Sequence, residues 1–152
     1  MKHYHTTPSN VWIPFEFSVG PVMSRFYEGL KEAKIWSNQC PECQRVLVPA
    51  RSFCPECRVD MQEWKEVPAE GEIVTWTQVN VPVFGLPIEP PFISALIRLD
   101  QTDCNLLHIV SGIDFNDAQT VAEKMKKGAR VKAVWRNDKK GHMMDIQYFK
   151  PC

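Results

Sequence analysis

Four cysteines, Cys40, Cys43, Cys54 and Cys57, sit in two identical Cys-Pro-Glu-Cys knuckles separated by residues 44–53. A Cys-x-x-Cys turn points two thiolates the same way. A second turn facing it completes a tetrahedron around one metal ion, with metal–sulfur distances of about 2.3 Å. Sulfur at all four corners leaves no position for water or substrate, so the expected ligand is one structural zinc that holds a fold and does no chemistry. The same thiols also fit two disulfides, a thioredoxin-type redox pair or the iron of a rubredoxin-type electron carrier. Disulfides need an oxidising compartment, and nothing at the N-terminus reads as a secretory signal, so the cytoplasm is the expected location. Spacing alone does not separate zinc from iron.

Knuckles this close need a tight hairpin between them. Arg45-Val46-Leu47-Val48-Pro49 reads as a short strand, and Pro49-Ala50-Arg51-Ser52 as the turn leading to the second knuckle. Upstream, residues 21–36 place Val22, Phe26, Leu30 and Ala33 on one face, with Met23 and Tyr27 beside them. That is the spacing of an amphipathic helix opened by proline. Its stripe suits this chain's own core or a partner equally, which makes Phe26, Tyr27 and Leu30 candidate interface residues. Residues 1–19 carry Trp12, Phe15 and Phe17 among polar and proline positions without a helical period, and read as an irregular arm that packs on something.

Residues 64–70 read as a connector, after which the pattern changes to strands. These are expected at 72–81, 92–99, 105–112, 129–136 and 143–149, with a helix at 117–127 capped by Asn116, ended by Gly128 and facing inward through Ala118, Val121, Ala122 and Met125. Residues 82–91 hold four prolines and form a loop. Five strands with one helix between the third and fourth is the order of the OB-fold, a small Greek-key barrel. The chain is therefore expected to be mainly β with an N-terminal helix, in three parts: arm and helix (1–37), rubredoxin-like four-cysteine zinc ribbon (38–66) and five-stranded OB-fold barrel (67–152).

Composition narrows the function. Of 152 residues, 44% are hydrophobic and 24% charged, ordinary globular values that exclude a disordered chain. No apolar run approaches the roughly 18 residues of a membrane span. Lys plus Arg equals Asp plus Glu at 18 each, which argues against a general nucleic-acid binder. No nucleophile elbow, phosphate-binding glycine loop or zincin signature is present, so catalysis by this chain alone is not expected. The remaining cysteines, Cys104 and Cys152, read as plain thiols, and His108 as a packed or surface histidine.

Several segments together resemble the small zinc-ribbon and OB-fold proteins that accompany acyl-CoA enzymes, especially thiolases. They are Arg25-Phe-Tyr-Glu-Gly-Leu30, the two knuckles around Pro49-Ala-Arg51, Trp64 with Gly71-Glu-Ile-Val-Thr-Trp-Thr77, and Pro90-Pro91 leading into the strand ending at Leu99. The resemblance implies a non-catalytic subunit that binds a thiolase-fold enzyme and helps form its coenzyme A entrance, with the acyl-CoA thioester as shared ligand. It also leaves room for a hot-dog-fold hydratase as partner, and for the small subunit of a thiolase acting on a benzoylsuccinyl-CoA-type substrate. Coenzyme A phosphates call for Arg or Lys beside an apolar slot for adenine. Arg51, Arg130, Lys132 and Phe84 of the proline-rich loop are the residues expected to supply these, with Arg130 and Lys132 lying in a basic tract that runs from Lys124 to Lys140. A competing expectation is a single-stranded nucleic-acid binder, since barrels of this order stack bases on aromatic residues beside a basic groove.

Overall fold

The computed structural model describes residues 5–8, 13–82 and 88–152. Helix α1 (Gly20–Lys31) starts with proline in its first turn and ends where Ala33 turns left-handed (φ 60°) and the Lys34 N–H reaches back to the Gly29 carbonyl at 2.9 Å. The helix therefore stops five residues short of the expected end at Trp36. Ala33, expected on the inner face, is the turn residue, and the chain enters strand β1 (Ile35–Gln39) directly.

Strand β1 is the centre of a three-stranded antiparallel sheet, between β2 (Val46–Leu47) and β3 (Glu63–Val67). The β1–β3 register runs from Ile35 opposite Val67 to Gln39 opposite Glu63. The stretch after Trp64, expected to be a connector, is thus a strand as far as Val67. Buried polar side chains stitch the sheet together: Ser37 Oγ donates to the Lys65 carbonyl at 2.6 Å. Arg25 lies over the Trp64 ring at 4.3 Å and near Trp36 at 5.5 Å, fixing α1 to this sheet. Gly29 makes that approach possible, because a Cβ there would collide with the Trp36 ring.

The remaining strands, β4 (Glu70–Val79), β5 (Phe92–Leu99), β6 (Leu106–Val110), β7 (Arg130–Trp135) and β8 (Ile146–Pro151), close into a barrel in the order β4-β5-β6-β8-β7. Closure runs through β4–β7, where Gly71 sits opposite Val131, and through a short parallel contact of Val110 with Phe149. Gly71 is required by sterics: an added Cβ would strike the Arg98 carbonyl and come within 2.8 Å of the Leu99 Cα. Helix α2 (Ala118–Lys124) lies between β6 and β7. It is capped by Asp117, whose carboxylate accepts from the Gln119 N–H at 3.0 Å, one residue after the expected cap Asn116. Only Val121 and Met125 of its expected inner face are buried; the helix has two turns, and Ala118 and Ala122 fall on its exposed side. The last strand begins later than expected because Met143–Asp145 forms a 3-10 turn.

The core is continuous from helix to barrel. Phe26, Leu30, Ile35 and Val67 belong to the same buried cluster as Ile73, Ile97, Val110 and Phe149. The β5–β6 turn clips the barrel to the ribbon. Asp103 donates its N–H to the Val46 carbonyl at 2.9 Å and accepts the Val46 N–H at 2.8 Å. Cys104 Sγ meets the Val48 N–H at 3.0 Å and the Val48 carbonyl at 3.1 Å. Among the described residues, no helix is long and apolar enough to cross a membrane.

Candidate metal centre and neighbouring surfaces

The two knuckles have the same local geometry. In the first, Cys40 N–H donates to the Arg45 carbonyl at 2.9 Å and Gln44 turns left-handed (φ 61°). In the second, Cys54 N–H donates to the Val59 carbonyl at 2.9 Å and Arg58 turns left-handed (φ 59°). Each turn aims its two sulfurs inward, and all four Sγ atoms lie within 4.8 Å of one another. The Cys43–Cys54 sulfur separation is 3.7 Å. A tetrahedron with arms of about 2.3 Å has edges of about 3.8 Å, which this separation matches. The same separation is nearly twice the roughly 2.05 Å of a disulfide bond.

The electrostatics agree. The Cys57 backbone N–H leads the groups that pull the Cys54 thiol down to about 7, against burial, and the Glu56 N–H adds to it. The neighbouring Cys43 sulfur, with burial, pushes Cys57 up to about 12. Four crowded thiols cannot all ionise alone, and a dication removes that conflict. Asn38, fully buried, holds the cage's approach: its side chain accepts the Arg51 N–H at 3.0 Å and donates to the Arg51 and Met61 carbonyls. Leu47 and Met61 pack against Cys40 and Cys54. The all-sulfur donor set, half of it fully buried, makes this a structural centre.

The other expected site residues are dispersed. Arg130 makes a bidentate pair with Asp100 at 2.7 and 2.6 Å, and Lys132 pairs with Glu70 at 2.8 Å. Together with Arg98 and Glu72 at 3.1 Å they form a charge ladder along the barrel's closing seam. Arg130 and Lys132, the cations expected at coenzyme A phosphates, are thus each paired with a carboxylate of this chain. Among the described residues Arg51 has no such carboxylate partner, and it lines a cleft of about 360 Å³ with Pro21, Val22, Met23 and Phe53. Phe84 lies outside the described residues.

Of the three α1 residues expected at a partner interface, two lie inside and one is half-buried. Phe26 and Leu30 are 1% and 0% exposed, covered by this chain's own core. Tyr27 is half-buried and stacks on His142, ring centroids 6.5 Å apart. His108 is buried, donates its Nε2–H to the Met143 carbonyl at 3.2 Å, and is held below its usual range by burial, so it packs as a neutral ring. Burial likewise pushes the Cys104 thiol up.

Three features carried no sequence signal. One is Asn38. A second is Asp145, 3% exposed, whose carboxylate accepts from the Lys140, Gly141 and His142 N–H groups. The third is a cleft of about 650 Å³ on the barrel face, lined by Phe92, Ile109, Arg136, His142, Met144 and Tyr148. No single residue announces it, and only the barrel's strand order points to it, because this face of an OB-fold is where its ligands lie.

The ChsH2 rubredoxin-like zinc ribbon domain matches residues 28–62, and the ChsH2 C-terminal OB-fold domain matches residues 64–136, together more than two thirds of the chain. The chain belongs to this ChsH2 zinc-ribbon and OB-fold family. A DUF35 domain-containing scaffold protein of Pyrococcus furiosus is 25% identical over 134 residues, covering 85% of this chain and 92% of that protein. A DUF35-family protein of unknown function from Sulfolobus solfataricus superposes with a TM-score of 0.60 at 25% identity, over 87% of this chain and 84% of that one. A chain of the Ltp2-ChsH2(DUF35) aldolase superposes with a TM-score of 0.64 at 19% identity, over 90% of this chain and 98% of that one, which establishes a shared fold.

Proposed function

We propose that this chain is a non-catalytic, zinc-stapled subunit that binds a thiolase-fold enzyme and completes the enzyme's coenzyme A entrance. The observation that carries the reading is the match to both family domains in ribbon-then-barrel order, beside the likeness to a DUF35 domain-containing scaffold protein. The Ltp2-ChsH2 aldolase supports it as a case in which a chain of this fold belongs to an enzyme assembly. Arg51 supports the coenzyme A part: a guanidinium beside an apolar cleft suits a phosphate and an adenine ring. Asn38, two residues ahead of the first knuckle cysteine, holds the turn that carries Arg51 by bonding both its N–H and its carbonyl.

The test is acyl-CoA cleavage by the partner enzyme, assayed with and without this chain. The expected result is that omission raises KM for the CoA thioester or abolishes turnover, and that Arg51→Ala raises KM with little change in kcat. A partner enzyme equally active without this chain contradicts the proposal.

A further inference from the structure

Residues 13–18, Ile-Pro-Phe-Glu-Phe-Ser, run ahead of α1 and ahead of the family match, which begins at residue 28. Ile13, Phe15 and Phe17 are 73%, 77% and 72% exposed, more than any other large apolar side chain among the described residues. The Phe15 and Phe17 rings lie 6.0 Å apart, on one side of the backbone. Apolar residues at 13, 15 and 17 with Pro14, Glu16 and Ser18 between them have the period of a strand with one face to bury. Among the described residues, no hydrogen bond joins residues 13–17 to the rest of the molecule.

Proline decides which edge of such a strand can pair. The N–H and C=O of one residue point to the same edge of a strand, and successive residues alternate edges. Pro14 has no N–H, so the edge of Pro14, Glu16 and Ser18 is incomplete, whereas the edge of Ile13, Phe15 and Phe17 is whole. Among the described residues, a second copy of this chain offers no long free strand to pair with. Its barrel is closed, β2 is only two residues long, and β3, the outer strand on the other side, is charged at Glu63, Lys65 and Glu66.

We propose that residues 13–18 add as a single edge strand to the enzyme subunit this chain accompanies, pairing along the Ile13, Phe15 and Phe17 edge and seating those side chains in apolar pockets two residues apart. This rests on the accessory-subunit reading. Pro14 leaves the outer edge unable to recruit another strand, so the addition stops at one.

Calorimetric titration of the purified thiolase-fold subunit with the full chain, and with its Phe15→Asp/Phe17→Asp variant, tests it. Binding by the variant should be about a hundredfold weaker or worse, as for two central aromatic anchors, with zinc content and melting temperature unchanged. A variant that binds as tightly as the wild type overturns the strap while leaving the accessory reading intact. A wild-type chain that does not bind the enzyme overturns both. Hydrogen exchange in the complex should slow the Phe15 and Phe17 amides and leave the Glu16 amide fast; equal exchange at all three, or a wild-type dimer that the variant dissociates, also overturns it.

Discussion

Replacing Asp145 with Asn changes one atom group at the best-satisfied carboxylate in the barrel. Its Oδ2 accepts from Gly141 N–H at 2.7 Å, His142 N–H at 3.0 Å and Lys140 N–H at 3.1 Å, and its Oδ1 from Lys140 N–H at 3.0 Å. The residue is 3% exposed, so water cannot replace a lost acceptor. An amide keeps one oxygen for Gly141, His142 and the longer Lys140 contact, but its NH2 takes the place of the closer Lys140 acceptor and faces that N–H donor to donor. Losing the charge and one partner costs about 2 kcal/mol, the range for hydrogen bonds to a charged group. For a chain of this size that is a melting shift of about 4–8 °C. Asp145→Ala strands all three N–H groups and costs about twice as much. The pH dependence is a second check. Burial would raise the Asp145 carboxyl, but the N–H donors of Lys140, His142 and Gly141 outweigh it and hold it below its ordinary value. A depressed carboxylate contributes stability that is fully present above its unfolded value of about 3.9 and is lost only as pH falls through the lower folded value. The difference between wild type and Asp145→Asn, read by calorimetric melting, should therefore be flat from pH 7 to pH 5. A variant as stable as the wild type, or a gap that narrows across that window, refutes the reasoning.

Gly71→Ala should lose about 3 kcal/mol, at the top of the range for overpacking, because the obstruction is the backbone of Arg98 and Leu99 and cannot rotate away; chemical denaturation reads it. Cys104→Ser should cost about 1 kcal/mol through its bonds to Val48, while leaving the activity of the complex intact. In the wild type, alkylation followed by mass spectrometry should label exposed Cys152 before Cys104, whose thiol is held protonated by burial. Arg130→Ala should change stability by about 1 kcal/mol at most, as for exposed ion pairs, and leave KM for the CoA thioester unaltered.

What the sequence made legible is what local chemistry dictates. Cysteine spacing alone predicts the cage, and the apolar run from Phe92 to Leu99 coincides with β5. The order of five strands and one helix names the barrel without any register. Features decided by distant partners were hidden. Strand β1 contains Ser37 and Asn38, polar residues that look like a loop until Lys65, Arg51 and Met61 are seen to bond them. The stripe of Phe26 and Leu30 shows that the helix is covered, and only packing shows that its own chain covers it. Arg130 and Lys132 read as free cations because their carboxylates, Asp100 and Glu70, come from strands and turns brought together by barrel closure.

Native mass spectrometry of the complex purified from its source cells tests the central claim in one measurement, because mass reports metal and partner together. The account predicts an assembly containing a thiolase-fold subunit and this chain carrying one zinc ion per copy. A chain found alone, or one carrying iron or no metal, would contradict it.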